Sequence, residues 1–79
     1  MKDLIEYIAK ALVNNPSQVV VRQERLSNHK IYLELQVARE DMGRVIGKAG
    51  RVANAMRLLL RVAAAREGKE ALLEVVEPK

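Results

Sequence analysis

Apolar and polar residues change rhythm several times along this chain, and each change marks an element. From Lys2 to Asn14, residues Leu4, Ile5, Ile8, Ala11 and Leu12 recur at helical spacing, with Asp3 and Glu6 near the positive end of the helix they predict. Asn14-Asn15-Pro16-Ser17 stops it, because proline disfavours helical dihedrals in the residue before it. Gln18 to Leu26 opens on the β-branched run Val19, Val20, Val21 and passes into a polar alternation, which reads as a strand; Ser27-Asn28-His29 supplies a turn. Lys30 to Ala38 alternates cleanly, with Ile31, Leu33, Leu35 and Val37 on one side and Tyr32, Glu34 and Gln36 on the other. Such a strand has one buried and one wet face, so helices are expected on one side of the sheet only, and the two strands form an antiparallel hairpin.

Arg39 to Ile46 reads as a short helix with Glu40 and Asp41 at its start and Gly47 as its stop. Capping explains that acidic pair better than acid–base catalysis does. A further helix runs from Arg51 to about Arg66 and is ended by Gly68. Its core face is read as Val52, Met56, Leu59, Leu60 and Ala63, with Asn54, Arg57 and Arg61 opposite. Ala55, Leu58 and Val62 belong to neither face. A helix packed on a sheet needs one apolar stripe, so these three are either covered by the N-terminal helix or form a dimer or partner interface. Glu70 to Glu77 closes as a strand before Pro78. A strand, two helices and a returning strand make a right-handed crossover between parallel strands. The expected architecture is an α+β domain of order α-β-β-α-α-β over residues 1–79, a three-stranded mixed sheet with three helices on one face.

Composition narrows the partners. Seventy-nine residues, 49% of them hydrophobic, suffice for one small core. The chain has no cysteine, which removes disulfides and thiolate metal sites and fits a reducing compartment. Its first residues, with acids in the first turn, read as neither a signal peptide nor a membrane span. The net charge is +4, yet Arg44, Lys48, Arg51, Arg57, Arg61 and Arg66 form a stretch without a single acid, which leaves the remainder mildly acidic. A basic segment on an acidic body suits a polyanion; the plain alternative is a solvated basic helix face.

Within that segment, Gly47-Lys48-Ala49-Gly50 stands before a helix start, where backbone N–H groups and a positive dipole end suit phosphate. It is no P-loop. The spacing is one residue short, Ala49 stands where a Mg²⁺-binding hydroxyl belongs, and no strand precedes it. A dinucleotide fingerprint fails likewise, and a membrane GxxxG motif fails because the segment is charged. Tyr7 and Tyr32 are the sole aromatics, too few for the stacking platforms of RRM or OB domains. No nucleophile–base pair, metal-ligand cluster or cofactor loop is present, so neither an enzyme nor a bound cofactor is expected. His29, the lone histidine, reads as an ordinary turn residue.

Val45-Ile46-Gly47-Lys48-Ala49-Gly50-Arg51, set between two helices, resembles the signature of KH domains, in which a GxxG loop clamps the backbone of about four nucleotides. The element order is similar to that of type II (bacterial) KH domains, and Asp41 to Ala65 resembles the small stand-alone bacterial KH family called KhpA. The resemblance implies single-stranded RNA binding, with Gly47, Lys48, Ala49 and Gly50 against the sugar–phosphate backbone. Arg44 and Arg51 would reach neighbouring phosphates, joined by Arg57. Val45, Ile46 and Val52 would line part of an apolar groove for bases, although Ile46 fits equally well in the core. The strand–strand turn corresponds to a variable loop, which would put Asn28, His29 and Lys30 near RNA. Further implications are a cytoplasmic RNA chaperone connected with cell-shape and cell-wall homeostasis, homodimers, and heterodimers with a larger KH protein of the KhpB, or Jag, type. No membrane or small-molecule partner is implied. A rival reading is an adaptor that dimerises through Ala55, Leu58 and Val62 while its partner supplies most of the RNA contact. One departure from the family pattern is Ala53, where many KH domains carry a large aliphatic residue.

Overall fold

The computed structural model describes residues 1–78; Lys79 and the side chains of Lys48 and Ala49 lie outside the described set. The first helix, α1, spans Lys2–Leu12 and buries Ile5 and Ala9. It ends two residues before the expected point, where Val13 turns extended and enters the core. Pro16–Gln18 forms a single 3₁₀ turn, so β1 covers Val20–Arg25 rather than starting at Gln18. Proline's fixed φ favours the first turn of a helix over a strand start.

Strand β2, Lys30–Gln36, pairs antiparallel with β1 from Val20 opposite Gln36 to Arg25 opposite Ile31. The intervening turn is held by the Leu26 and Ser27 N–H groups, which both donate to the Lys30 carbonyl at 2.9 and 3.2 Å. Strand β3, Glu70–Val76, runs parallel to β2, in register from Lys30 opposite Glu70 to Gln36 opposite Val76. The order is therefore β1-β2-β3, a mixed sheet as the crossover requires. Ile31, Leu33 and Leu35 bury on one face of β2, with Val21 and Leu73 beside them on the neighbouring strands.

The expected short helix does not begin at Arg39. Arg39–Asp41 is a 3₁₀ turn, and the helical run α2 extends over Met42–Arg66. The joint inside it falls at the second glycine rather than the first. Gly50 has φ +78°, outside right-handed helical space, whereas Gly47 is not among the positive-φ glycines. The run thus comprises two limbs, a short one before Gly50 and a long one from Arg51, which with α1 make three helical segments. Gly68, at φ +68°, ends the long limb: its N–H donates to Ala65 O at 3.1 Å and Lys69 N–H to Ala64 O at 2.9 Å. That pair of bonds is a Schellman motif, and it satisfies carbonyls the helix would otherwise leave free.

The long limb is rotated from the face its large apolar residues suggest. Ala53, Met56, Leu60 and Ala64 are buried, Val52 and Ala63 are half-buried, and Leu59 points outward at 49% exposure. Small residues on the inner face, Ala53 and Ala64, put the centre of that face roughly 60° from the expected one at 100° per residue. Ala53 thus sits in the core as a small residue rather than leaving a defect. The opposite, uncovered face of the sheet carries Glu24, Glu34, Glu70 and Glu74 among Val20, Arg22, Tyr32 and Leu72. Tyr32 bridges two of the acids: its hydroxyl donates to Glu74 Oε2 at 2.6 Å and lies 3.4 Å from Glu34 Oε2.

Candidate nucleic-acid interface

The joint at Gly50 is held by what flanks it. Val45, at 0% exposure, anchors the short limb in the core, and Met56 and Leu60 anchor the long one. Val45 therefore has no surface to offer a base, and the expectation that it lines a groove is corrected. Ile46, whose place the sequence leaves open, is 44% exposed beside the glycines. Val52 is half-buried at the margin of the core. Leu12, Gly43, Arg44, Gly47 and Val52 line an open groove between the end of α1 and the joint.

Gly43 and Gly47 stand one helical turn apart on that groove, and a Cβ at either would meet nothing within 4 Å. Packing does not demand glycine there. What the missing side chains provide is bare backbone that a ligand can approach. At Gly50 the demand is conformational, since an L side chain at φ +78° is strained whatever space surrounds it.

The short limb is fixed to the α1–β1 link by Asp41, which the sequence suggested as a cap. Asp41 does occupy the N-cap position of α2, yet its side chain makes no capping bond there. Instead Oδ1 accepts the Asn14 N–H at 3.0 Å, and Oδ2 accepts from Asn15. Burial alone would raise its pKa. The Asn14 N–H, the Asn15 side chain and N–H, and the nearby Arg44 charge outweigh that, and hold the carboxyl below its ordinary range. Glu40 stays at the surface, within 3.5 Å of Asn15 Nδ2. Arg44 is exposed next to this clasp. With the Asn14 carboxamide oxygen turned toward it, Nε and Nη2 both donate at 3.3 Å.

The basic residues are not equally free. Arg51 and Arg61 are exposed, whereas Arg57 reaches the sheet: its Nε donates to the Leu73 carbonyl at 3.2 Å and Nη1 to Asn54 Oδ1 at 3.1 Å. Leu73 lies on β3, an edge strand, so Arg57 satisfies a carbonyl with no strand beside it. The rotation of the long limb brings Arg57 there. The expectations placed on the Lys48 and Ala49 side chains lie outside the described residues. His29 is exposed in the turn; its N–H donates to Ser27 Oγ at 3.2 Å, and its carbonyl accepts from Glu70 N–H at 2.6 Å. Ala55, Leu58 and Val62 remain uncovered by α1, with Leu58 at 57% and Val62 at 51% exposure, and Leu59 joins them. Among the described residues no group of three or more His, Cys, Asp or Glu could hold a metal ion, and no helix is long and apolar enough to cross a membrane.

The family described as KhpA/KhpB, KH domain, matches residues 2–75. An RNA-binding protein KhpA of Clostridium perfringens (strain 13 / Type A) is 49% identical over 76 residues, which cover 96% of this chain and 100% of the relative. A protein of the same name from Listeria monocytogenes serovar 1/2a is 43% identical over 77 residues, 98% of this chain and 100% of its own length. Another from Chlamydia caviae is 42% identical over 79 residues, all of both chains. No solved structure matches the chain.

Proposed function

Because the chain belongs to the KhpA/KhpB family of KH domains, we propose that it binds single-stranded RNA by clamping the sugar–phosphate backbone at Gly47, Lys48, Ala49 and Gly50. The family is one of RNA-binding KH proteins, not of enzymes. We read residues 1–79 as one such domain. The observation that carries the proposal is the left-handed turn at Gly50 inside a stretch that holds six basic residues and no acid. In this reading the phosphates approach the bare backbone of the joint, with Lys48 as a point charge. Arg51, exposed at the start of the long limb, and Arg44, held beside Asn14, meet the phosphates on either side. Ile46, Val52 and Leu12 offer apolar surface for unstacked bases, a role for which Val45 is too deep. Arg57 adds charge but keeps its Nε on the sheet.

A footprint of about four nucleotides without aromatic anchors gives weak binding, on the order of micromolar or weaker. A second domain on the same strand would raise avidity. On the resemblance stated above, we extend the reading to a cytoplasmic RNA chaperone that pairs with a larger KhpB-type protein and serves cell-shape and cell-wall homeostasis. The test is the double substitution Lys48→Asp with Ala49→Asp. It should abolish the electrophoretic shift of a short single-stranded RNA while the circular dichroism spectrum stays that of the folded chain. An unchanged shift overturns the proposal.

The outward face of α2 favours a second role beside the first, as a docking surface for the larger partner. Ala55, Leu58, Leu59 and Val62 are all exposed on it. Two copies pairing antiparallel about Leu58 and Leu59 would set Arg51 against Arg66, like charge on like charge at both ends, so the face suits a different chain. Leu58→Asp should abolish pull-down of a KhpB-type partner and leave RNA binding by the isolated chain intact. Undiminished pull-down counts against this role.

A further inference from the structure

Asn54 follows Gly50 by one helical turn, and its side-chain amide nitrogen faces the joint. A Cβ built on Gly50 would meet Asn54 Nδ2 at 3.7 Å. The other end of that amide is already engaged. Arg57 Nη1 donates to Asn54 Oδ1 at 3.1 Å, while Nε of the same guanidinium donates to the Leu73 carbonyl at 3.2 Å. Two bonds from different sides of one rigid plane fix the guanidinium. Leu73 is itself buried on β3, so the arrangement is rooted in the sheet. Turning the amide over would set its NH₂ group against the Arg57 donor, so Nδ2 stays on the side of Gly50.

Asn54 is exposed, and among the described residues Nδ2 makes no hydrogen bond. An asparagine with both ends free can pair with a base edge, which takes a donor and an acceptor together. With Oδ1 occupied by Arg57, Asn54 can only donate. A non-bridging phosphate oxygen, which only accepts, is its complement, and such a contact carries no sequence information. The setting agrees: Gly50 brings bare backbone to the same spot, and no acid lies between Arg44 and Arg66.

We propose that Asn54 is an RNA-binding residue whose Nδ2 donates to a non-bridging oxygen of the phosphate seated at Gly50. Arg57 is the positioning residue that holds the amide in that sense. The inference rests on the backbone clamp proposed above and adds a neutral, sequence-independent contact to it. It also gives Arg57 a part in binding beyond its charge, played from the sheet edge.

Anisotropy titrations of a labelled single-stranded pentanucleotide RNA over a range of salt concentrations test this. Asn54→Leu keeps the size and favours the helix, and should weaken binding about tenfold through loss of a donor to a charged group. No charge changes, so the slope of log K against log salt should match the wild type, whereas Arg51→Ala should flatten it. Asn54→Asp still accepts from Arg57, so its thermal midpoint should hold or rise slightly. Its binding should nevertheless fall further than that of Ala55→Asp, which adds the same charge one residue along. Arg57→Lys keeps the charge but cannot make both bonds, and should cost about twofold as the amide divides between two orientations. In the Asn54→Leu background it should cost nothing more.

Replacing single phosphates of the RNA by uncharged methylphosphonates locates the partner atom. At one linkage the wild type should lose affinity and Asn54→Leu should not, while both lose at the others. Equal sensitivity at every linkage overturns the proposal, as does wild-type affinity in Asn54→Leu. If Lys48→Asp with Ala49→Asp abolishes binding and Asn54→Leu leaves it intact, the clamp stands and the role of Asn54 falls. If neither set of substitutions alters binding, both readings fall.

Discussion

Asp41 Oδ2 accepts two hydrogen bonds from Asn15, one from its backbone N–H and one from its side-chain amide, each 3.0 Å long. The carboxylate is wholly enclosed, and its other oxygen takes the Asn14 N–H. A segment that follows a helix would ordinarily leave these N–H groups to water; here one acid from the far side of the hairpin collects them. The start of α2 is thereby tied to the end of α1, and Arg44 is stationed at the junction.

Replacing Asp41 should therefore cost far more than a surface acid does. Asp41→Asn keeps the shape but turns an amide donor toward donors, and Asp41→Ala removes the acceptor entirely. Either should lower the thermal midpoint by on the order of 10 °C in a domain of this size, read by circular dichroism. A midpoint within experimental scatter of the wild type would show that the clasp is dispensable.

The same carboxyl sets an acid limit on stability. Its folded pKa lies below the ordinary aspartate value of 3.8, so its contribution is complete above that value and is lost as pH falls through the lower folded one. Urea midpoints should drop on acidification below about pH 4 more steeply for the wild type than for Asp41→Asn. Parallel curves for the two proteins would contradict the assignment.

Gly47 and Gly50 should part company on stability and agree on binding. Gly47→Ala meets open space at an ordinary dihedral and should gain up to about 1 kcal/mol from helix propensity. Gly50→Ala must hold φ +78° and should lose about 1–2 kcal/mol. Both place a methyl group where RNA backbone is proposed to approach, so both should weaken the RNA shift. Chemical denaturation and titration on the same samples separate the two effects.

Arg57→Ala frees the Leu73 carbonyl and should cost about 0.5–1.5 kcal/mol of folding stability. Its RNA affinity should fall less than that of Arg51→Ala, whose guanidinium is exposed. The reverse ranking would mean that Arg57 leaves the sheet to meet the ligand.

Tyr32 should titrate late. Its hydrogen bond to Glu74, its partial burial and the charges of Glu74 and Glu34 push the phenol up from 10.0 to about 12. A raised pKa stabilises below the unfolded value and is lost as pH climbs through the folded one, so this contribution fades between about pH 10 and 12. Phenolate absorbance in a Tyr7→Phe background isolates the group, and adding Glu74→Gln should bring its midpoint back down.

The sheet was legible because its signal is local. Ile31, Leu33 and Leu35 alternate with polar neighbours, and a crossover between Gln36 and Glu70 leaves little choice but a parallel return. The KH resemblance likewise rests on contiguous residues around Gly47 and Gly50. The inner face of α2 is set by small side chains as much as by large ones. Leu59 reads as core and Ala53 as a departure from the family pattern, yet the long limb turns Ala53 and Ala64 inward and leaves Leu59 outside. Asp41 and Arg57 escaped for another reason. Each acts on backbone groups distant in sequence, Asn14 and Asn15 for one and Leu73 for the other, and no periodicity records such a partner. Val45 and Ile46 are adjacent and equally apolar, so only the packed structure separates the buried one from the exposed one.

The parallel register of β2 and β3 also governs the order in which the chain can fold. The hairpin brings residue 25 against residue 31 across a short turn, an event of microseconds. Joining residue 30 to residue 70 requires closing a loop that contains all of α2, and the entropy of that closure is spent before any β3 contact repays it. The rate-limiting barrier is thus expected at the docking of α2 on a preformed hairpin, with β3 zipping on afterwards. Leu60→Val, inside that docking surface, should slow folding, whereas Val76→Ala at the end of β3 should chiefly hasten unfolding. A glycine kept at the joint for the sake of a ligand then lies within the segment whose closure limits how fast the protein forms.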